Sequence, residues 1–303
     1  MSKKILLLAS KPLGLLACKQ LYQCRTSDQL VVITFTDQHD PRSCFANFQQ
    51  FTKDHGIELI VVANQQETNE RITALQPDLC FVVGWYWLIP ESVLNLVPMG
   101  FIGLHNSLLP KYRGGSPLVW TLINGDAYAG FSFFALTAGV DDGPIWAQAK
   151  VAIGESDTIA DCLDKLAEKS INLLADIYPQ IISGQLQPQP QNHEQASYCA
   201  LRRAEDGLIN WHWPATRMIN FIKAQSQPYP GAFTEIDGKQ VIIWQAQPFP
   251  YPYYSVPGQV LLIEGDRVTI GCGDDTAIVV DQVETNGQLL PASDIFKSIK
   301  QRL

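Results

Sequence analysis

Four short apolar runs in the first 83 residues have almost no internal alternation, and helix-like stretches space them apart. The runs are Lys4 to Ser10, Leu30 to Thr36, Ile57 to Ala63 and Leu79 to Val83; the helix-like stretches are Leu13 to Gln23, Phe45 to His55 and Glu67 to Leu75. A strand with one wet face alternates apolar and polar residues, whereas a strand buried on both faces does not. Such strands, spaced by helices, predict a doubly wound α/β domain with a mainly parallel sheet covered on both sides.

The chain has 303 residues, enough for two domains with a well-buried core. Its 22 basic and 30 acidic residues leave a net charge of −8, which argues against a dedicated nucleic-acid binder. Seven cysteines stand singly, without Cys-x-x-Cys pairs or zinc spacing, as expected of free thiols in a reducing compartment. The first apolar run, Ile5 to Ala9, is too short for a signal sequence, and no stretch approaches the roughly 20 apolar residues of a spanning helix. A cytoplasmic protein without a membrane partner or a bound metal is expected. The turn after the first run, Ser10-Lys11-Pro12-Leu13-Gly14, lacks the glycine pattern of a dinucleotide or P-loop site.

Further on, Thr158 to Tyr178 carries a helical apolar stripe, with Ser156 or Asp157 as its expected N-cap. A Gln/Pro-rich stretch from Gly184 to Asn192 has no apolar period and reads as a linker. Ala215 to Ala224 reads as a short helix. Ala232 to Ile236, Gln240 to Gln247, Gly258 to Ile263, Arg267 to Gly271 and Ala277 to Gln282 read as five short strands. The expected organisation is a domain over residues 1–184, a linker over 185–200, and a smaller β-rich, OB-like domain over 201–303.

The tract from Gly103 to Gly143 holds the candidate chemistry. An apolar run delivers His105 to its end, and a second apolar run leads to Asp141 in a glycine-flanked turn. Two titratable groups at strand ends suit acid–base work in a cleft. Arg113, Gly114 and Gly115 form a permissive segment suited to an anionic ligand. Trp85-Tyr86-Trp87 is an aromatic cluster at a strand end, able either to stack on a planar ligand or to cap the core.

The run His105-x-Ser-Leu-Leu-Pro-Lys-Tyr-Arg-Gly114, with Gly139-Val-Asp141-x-Gly-Pro-Ile145 downstream, resembles the folate-dependent formyltransferase family. Arg202-Arg203-x-x-Asp206-Gly207-x-Ile209-x-Trp211 and Pro228-Tyr229-Pro230-Gly231-Ala232-Phe233 extend the resemblance to essentially the whole chain. It implies a Rossmann-like catalytic domain and N10-formyltetrahydrofolate as co-substrate. His105 and Asp141 are implied as the catalytic pair, His105 as hydrogen-bond donor and proton carrier, Asp141 as orienting group or base. The folate is implied to lie between Trp87, Leu88 and Ile89 and the turn Thr137, Ala138, Gly139, Val140 and Asp141. The family usually places asparagine two residues before the histidine, where its amide helps hold the formyl oxygen; this chain has Gly103.

Charge weighs between the acceptors that the resemblance implies. The segment Thr36 to Arg42 is short and nearly neutral, and residues 202–303 carry nine basic against eleven acidic groups. A tRNA backbone finds little attraction there. A nucleotide-linked amino sugar is the expected acceptor, with Arg113 near its phosphates. The alternatives are a methionyl-tRNA formyltransferase and a catalytically impaired homologue that binds folate or a nucleotide.

Overall fold

The computed structural model describes residues 2–37 and 40–303, so Gln38 and His39 of the Thr36-to-Arg42 segment lie outside it. The chain forms two compact units. One comprises Met1–Pro117, Ala129–Val151 and Asp164–Cys199; the other comprises Leu118–Tyr128, Ala152–Leu163 and Ala200–Leu303.

The first unit is built on a mixed seven-stranded sheet. Its strands are β1 (Lys4–Ala9), β2 (Gln29–Thr34), β3 (Glu58–Val61), β4 (Leu79–Val83) and β5 (Phe101–His105). After a two-residue strand, β6 (Arg113–Gly114), come β7 (Tyr128–Ala135) and β8 (Ile145–Ala152). The order across the sheet is β3-β2-β1-β4-β5-β7-β8, with every pair from β3 to β5 parallel and β7 antiparallel to β5. Leu6, Leu7 and Leu8 are all fully buried although they point alternately to opposite faces, which is why β1 reads as an unbroken apolar run.

Chain direction across the sheet reverses at β1, creating a crevice at the strand ends where β1 meets β4. Since crossovers between parallel strands are right-handed, the reversal puts α1 (Lys11–Cys24) and α2 (Phe45–Asp54) on one face and α3 (Gln65–Leu75) on the other. Asn64 caps α3 by accepting from the Glu67 N–H. Short helices α4 (Glu91–Leu94) and α5 (Pro117–Ile123) precede α6 (Ile159–Ile182). The cap of α6 is Thr158, not Ser156 or Asp157: its N–H and hydroxyl both donate to the Asp161 carboxylate, while Asp157 accepts from the Gly154 N–H. The helix also runs past Tyr178, through Pro179 to Ile182.

Residues 185–199 do not run free. Gln189 bridges to Ile145, Gln191 is buried, and β9 (Tyr198–Cys199) pairs in parallel with β6. In the second unit α7 (Ala215–Gln225) buries Met218, Phe221 and Ile222. The β-rich region holds eight strands where the sequence reading has five: β10 (Ala232–Ile236), β11 (Lys239–Ile243), β12 (Gln247–Pro248), β13 (Val260–Glu264), β14 (Arg267–Gly271), β15 (Ala277–Val280), β16 (Gln282–Thr285) and β17 (Gln288–Pro291). A last short helix, α8 (Ala292–Ile295), follows. The strands form two four-stranded sheets, β10-β11-β16-β17 and β12-β15-β14-β13, with antiparallel pairing. The added hairpin β16–β17 turns at Asn286-Gly287, both at positive φ, the dipeptide best suited to a tight hairpin.

Candidate active site

His105 ends β5, paired with Ser132 on β7, and is 9% exposed. Its Nε2 lies 2.8 Å from the Tyr112 carbonyl oxygen. A carbonyl only accepts, so Nε2 carries the hydrogen and Nδ1 is the nitrogen left for chemistry. Nδ1 faces Asp141 Oδ2 at 3.6 Å, close in charge terms but longer than a hydrogen bond. The structure thus brings the two expected residues together, although Asp141 lies within a loop, six residues past the end of β7.

The loop backbone at Asp141 has φ 48°, a left-handed conformation that aspartate tolerates better than most residues. Its Oδ2 accepts a 2.8 Å hydrogen bond from the Gly114 N–H. Gly114 itself has φ 99°, and a Cβ there would sit 2.5 Å from the Cys199 carbonyl oxygen, so no other residue fits.

Arg113, Gly114 and Gly115 do not form an anion site. Arg113 is 1% exposed, and its guanidinium donates to Gln191 Oε1, the Tyr198 hydroxyl and His193 Nδ1. The Gly114 N–H belongs to Asp141, and the Gly115 N–H to the Cys199 carbonyl at 2.9 Å. Arg113 is thus a brace behind Asp141, not a phosphate ligand. Gln191, hidden in a Gln-rich stretch, is part of that brace, and nothing in its sequence context sets it apart from its neighbours.

The formyl transferase family model matches residues 3–177, and the model of the formyl transferase C-terminal domain matches residues 202–300. The chain belongs to the formyl transferase family. The fold recurs in solved structures. HypX from Aquifex aeolicus in complex with tetrahydrofolic acid is 18% identical, with a TM-score of 0.63 over 99% of this chain and 48% of HypX, so the chain spans about half of HypX. An N-formyltransferase from Helicobacter canadensis, in complex with folinic acid and dTDP-3-aminofucose, is 16% identical with a TM-score of 0.70, over 92% of this chain and 99% of that one. WlaRD, a sugar 3N-formyl transferase studied with dTDP and 5-N-formyl-THF, is 16% identical with a TM-score of 0.68, over 95% and 99%.

The two loops expected to hold folate in this formyl transferase differ in exposure. Trp87 and Ile89 are half-buried against the core beside β4, together with Leu136, while Leu88 between them is 84% exposed. The Leu88 carbonyl accepts from Gln65 Nε2 at 2.6 Å. Thr137, Ala138, Gly139 and Val140 are exposed, Val140 to 58%, and the Thr137 hydroxyl donates to Asp142. The Trp85 indole N–H is buried without a partner among the described residues. At Gly103, a Cβ would meet Leu136 Cδ2 at 2.7 Å and Phe134 Cε1 at 3.0 Å. The volume into which a side chain at 103 would project is thus filled by apolar atoms.

Proposed function

We propose that this formyl transferase moves a formyl group from N10-formyltetrahydrofolate to the amine of a nucleotide-linked amino sugar, with His105 and Asp141 as the catalytic pair. The carrying observation is the pair itself: an imidazole with Nε2 committed to a carbonyl and Nδ1 turned to a carboxylate at 3.6 Å.

The residues present fit a folate. Leu88 and Val140 leave apolar side chains in solvent on two loops, and the buried Trp85 indole N–H has no acceptor among the described residues. A flat heterocycle with apolar faces and polar edges suits such a lining. Trp87, Leu88 and Ile89 would hold it from one loop, and Thr137, Ala138, Gly139, Val140 and Asp141 from the other. When bound, it supplies an electrophilic formyl carbon.

The protein's part is proton handling. An amine that attacks a formyl carbon must lose a proton, and the lone pair at His105 Nδ1 takes it. The imidazolium then has a proton on each nitrogen, Nε2–H toward Tyr112 and Nδ1–H toward Asp141. The carboxylate offsets the new charge, and the Gly114 N–H keeps that carboxylate from turning away. Nδ1 then returns the proton to the nitrogen that leaves. Because Leu136 and Phe134 fill the space beside Gly103, no side chain from that position holds the formyl oxygen.

The acceptor reading draws on the dTDP-3-aminofucose bound by one structural neighbour, on the dTDP present with another, and on the chain's net charge of −8, which offers a tRNA backbone little attraction. A test is to incubate the protein with N10-formyltetrahydrofolate and, in parallel, dTDP-linked 3-amino and 4-amino sugars or charged initiator tRNA. Formylation confined to a sugar nucleotide is expected; formylation of the tRNA alone overturns the acceptor reading.

A further inference from the structure

Antiparallel pairing gives the Asp141 loop a geometric problem. Ala135, the last residue of β7, pairs with Ile102, three positions before His105. The loop therefore leaves the sheet beside the start of β5, and the Ala135 N–H closes its base on the Pro144 carbonyl at 2.8 Å. To bring Asp141 to His105 it must double back along β5. Its stretch from Thr137 to Val140 is exposed, and an exposed loop has many backbone states of similar energy. Something has to fix the one that presents the carboxylate.

Gln191 is placed to do so. Its side chain is 6% exposed, and its Nε2 donates to the main-chain carbonyls of Asp141 at 2.8 Å and Gly143 at 2.7 Å. Its Oε1 accepts from Arg113 Nε at 3.1 Å and Nη2 at 2.6 Å. A guanidinium can only donate, so Arg113 dictates which end of the amide is oxygen and turns the N–H groups toward the loop. The backbone around Arg113 completes the arrangement, since Tyr112 accepts from His105 and Gly114 donates to Asp141. One three-residue segment thus touches both members of the pair, and its central side chain steers the amide that pins the Asp141 backbone.

We infer that Gln191, oriented by Arg113, is a positioning residue for formyl transfer: it fixes the Asp141 loop so that the carboxylate faces His105 Nδ1. This rests on the reading of His105 and Asp141 as the catalytic pair. Gln191→Glu is the informative variant, because it keeps the side-chain volume and an acceptor for Arg113 while replacing the donor with a second acceptor facing two carbonyls. Misplacement of a catalytic group by about 1 Å lowers rates by about 10²-fold. Tetrahydrofolate release from N10-formyltetrahydrofolate is followed with dTDP-3-aminofucose and, separately, with hydroxylamine as a simple amine.

The expected result is a fall in kcat of about 10²-fold with KM values within about twofold, and a shifted 15N resonance of His105 Nδ1. In an Asp141→Asn background the same substitution should change kcat by less than about twofold, because a residue acting only through Asp141 has nothing left to position. An unchanged kcat in Gln191→Glu overturns the inference, as does a loss that persists undiminished beside Asp141→Asn. Wild-type turnover in Asp141→Asn alone would instead overturn the catalytic pair, and this role with it. If Gln191→Glu lost its cooperative thermal transition, the isosteric Gln191→Met carries the same comparison.

Discussion

At the scale of single residues, position 103 is where this chain parts from the pattern its motifs resemble. Leu136 and Phe134 occupy the space an amide would need, so the change is a repacking and not a vacancy. Gly103→Asn is expected to lower stability by about 1–3 kcal/mol through overpacking, and Leu136→Ala in the same chain should recover part of that, since the nearer clash is with the end of a flexible side chain. Urea denaturation of the single and double variants measures both; a double variant no more stable than Gly103→Asn contradicts the packing account. For Asp141, replacement by Asn keeps an acceptor for the Gly114 N–H but removes the charge facing Nδ1. A drop of about 10²-fold in kcat with little change in KM is expected from steady-state kinetics, and equal losses in both would mean that Asp141 serves binding instead.

At the scale of elements, the smallest pair in the fold, β6 with β9, matters most to the site because it sets the backbone of Arg113 and Gly114. Gly114→Ala pushes a methyl against the Cys199 carbonyl, which belongs to the backbone and cannot move aside cheaply. A loss of more than about 2 kcal/mol is expected in chemical denaturation, and an alanine variant as stable as the parent would refute the strand pairing. The first four parallel strands and their helices were legible in the sequence, and in β1, β2 and β4 burial on both faces is what erases alternation. His105 and Asp141 were singled out because each follows an apolar run and the resemblance implies them as a pair, and the structure brings them to 3.6 Å. The pairing of β6 and β9 was not legible, since two residues show no period. Gln191 was hidden for a different reason: it is buried by satisfying two carbonyls and an arginine, a polar role that a Gln/Pro-rich composition conceals. The helical stripe read to Tyr178 falls short of the helix, because α6 accommodates Pro179 near its end and continues to Ile182. In the second unit, β16 and β17 lie beyond the last strand read from the sequence, although Asn286-Gly287 between them is a hairpin signal.

At the scale of the whole molecule, an ion cluster ties the start of α1 to the loops that follow β2 and β4. Lys11 pairs with Asp37 at 2.7 Å and Asp40 at 2.6 Å, Arg42 pairs with Asp40 at 2.9 Å, and the Tyr86 hydroxyl donates to Asp40. Burial by itself would raise the Asp40 carboxyl, but its hydrogen bonds from Arg42 and Lys11 outweigh that and hold it well below the usual carboxylate range. A depressed carboxyl contributes stability that is complete above its unfolded value, about 3.9, and is lost as pH falls toward the folded value. Asp40→Asn should therefore flatten the acid side of the thermal stability curve below about pH 4 while lowering stability at neutral pH; an unchanged acid slope would separate the cluster from acid unfolding. These loops and the Asp141 loop belong to one unit. The proposed function has formyl transfer pass through His105 Nδ1. The most direct measurement is the rate at which a dTDP-linked amino sugar is formylated from N10-formyltetrahydrofolate by the parent chain and by His105→Ala, both shown to be folded. The expected outcome is formylated sugar nucleotide from the parent chain and a rate lower by about 10²- to 10⁴-fold from the variant. A His105→Ala protein that formylates the same acceptor at the parent rate would contradict the account.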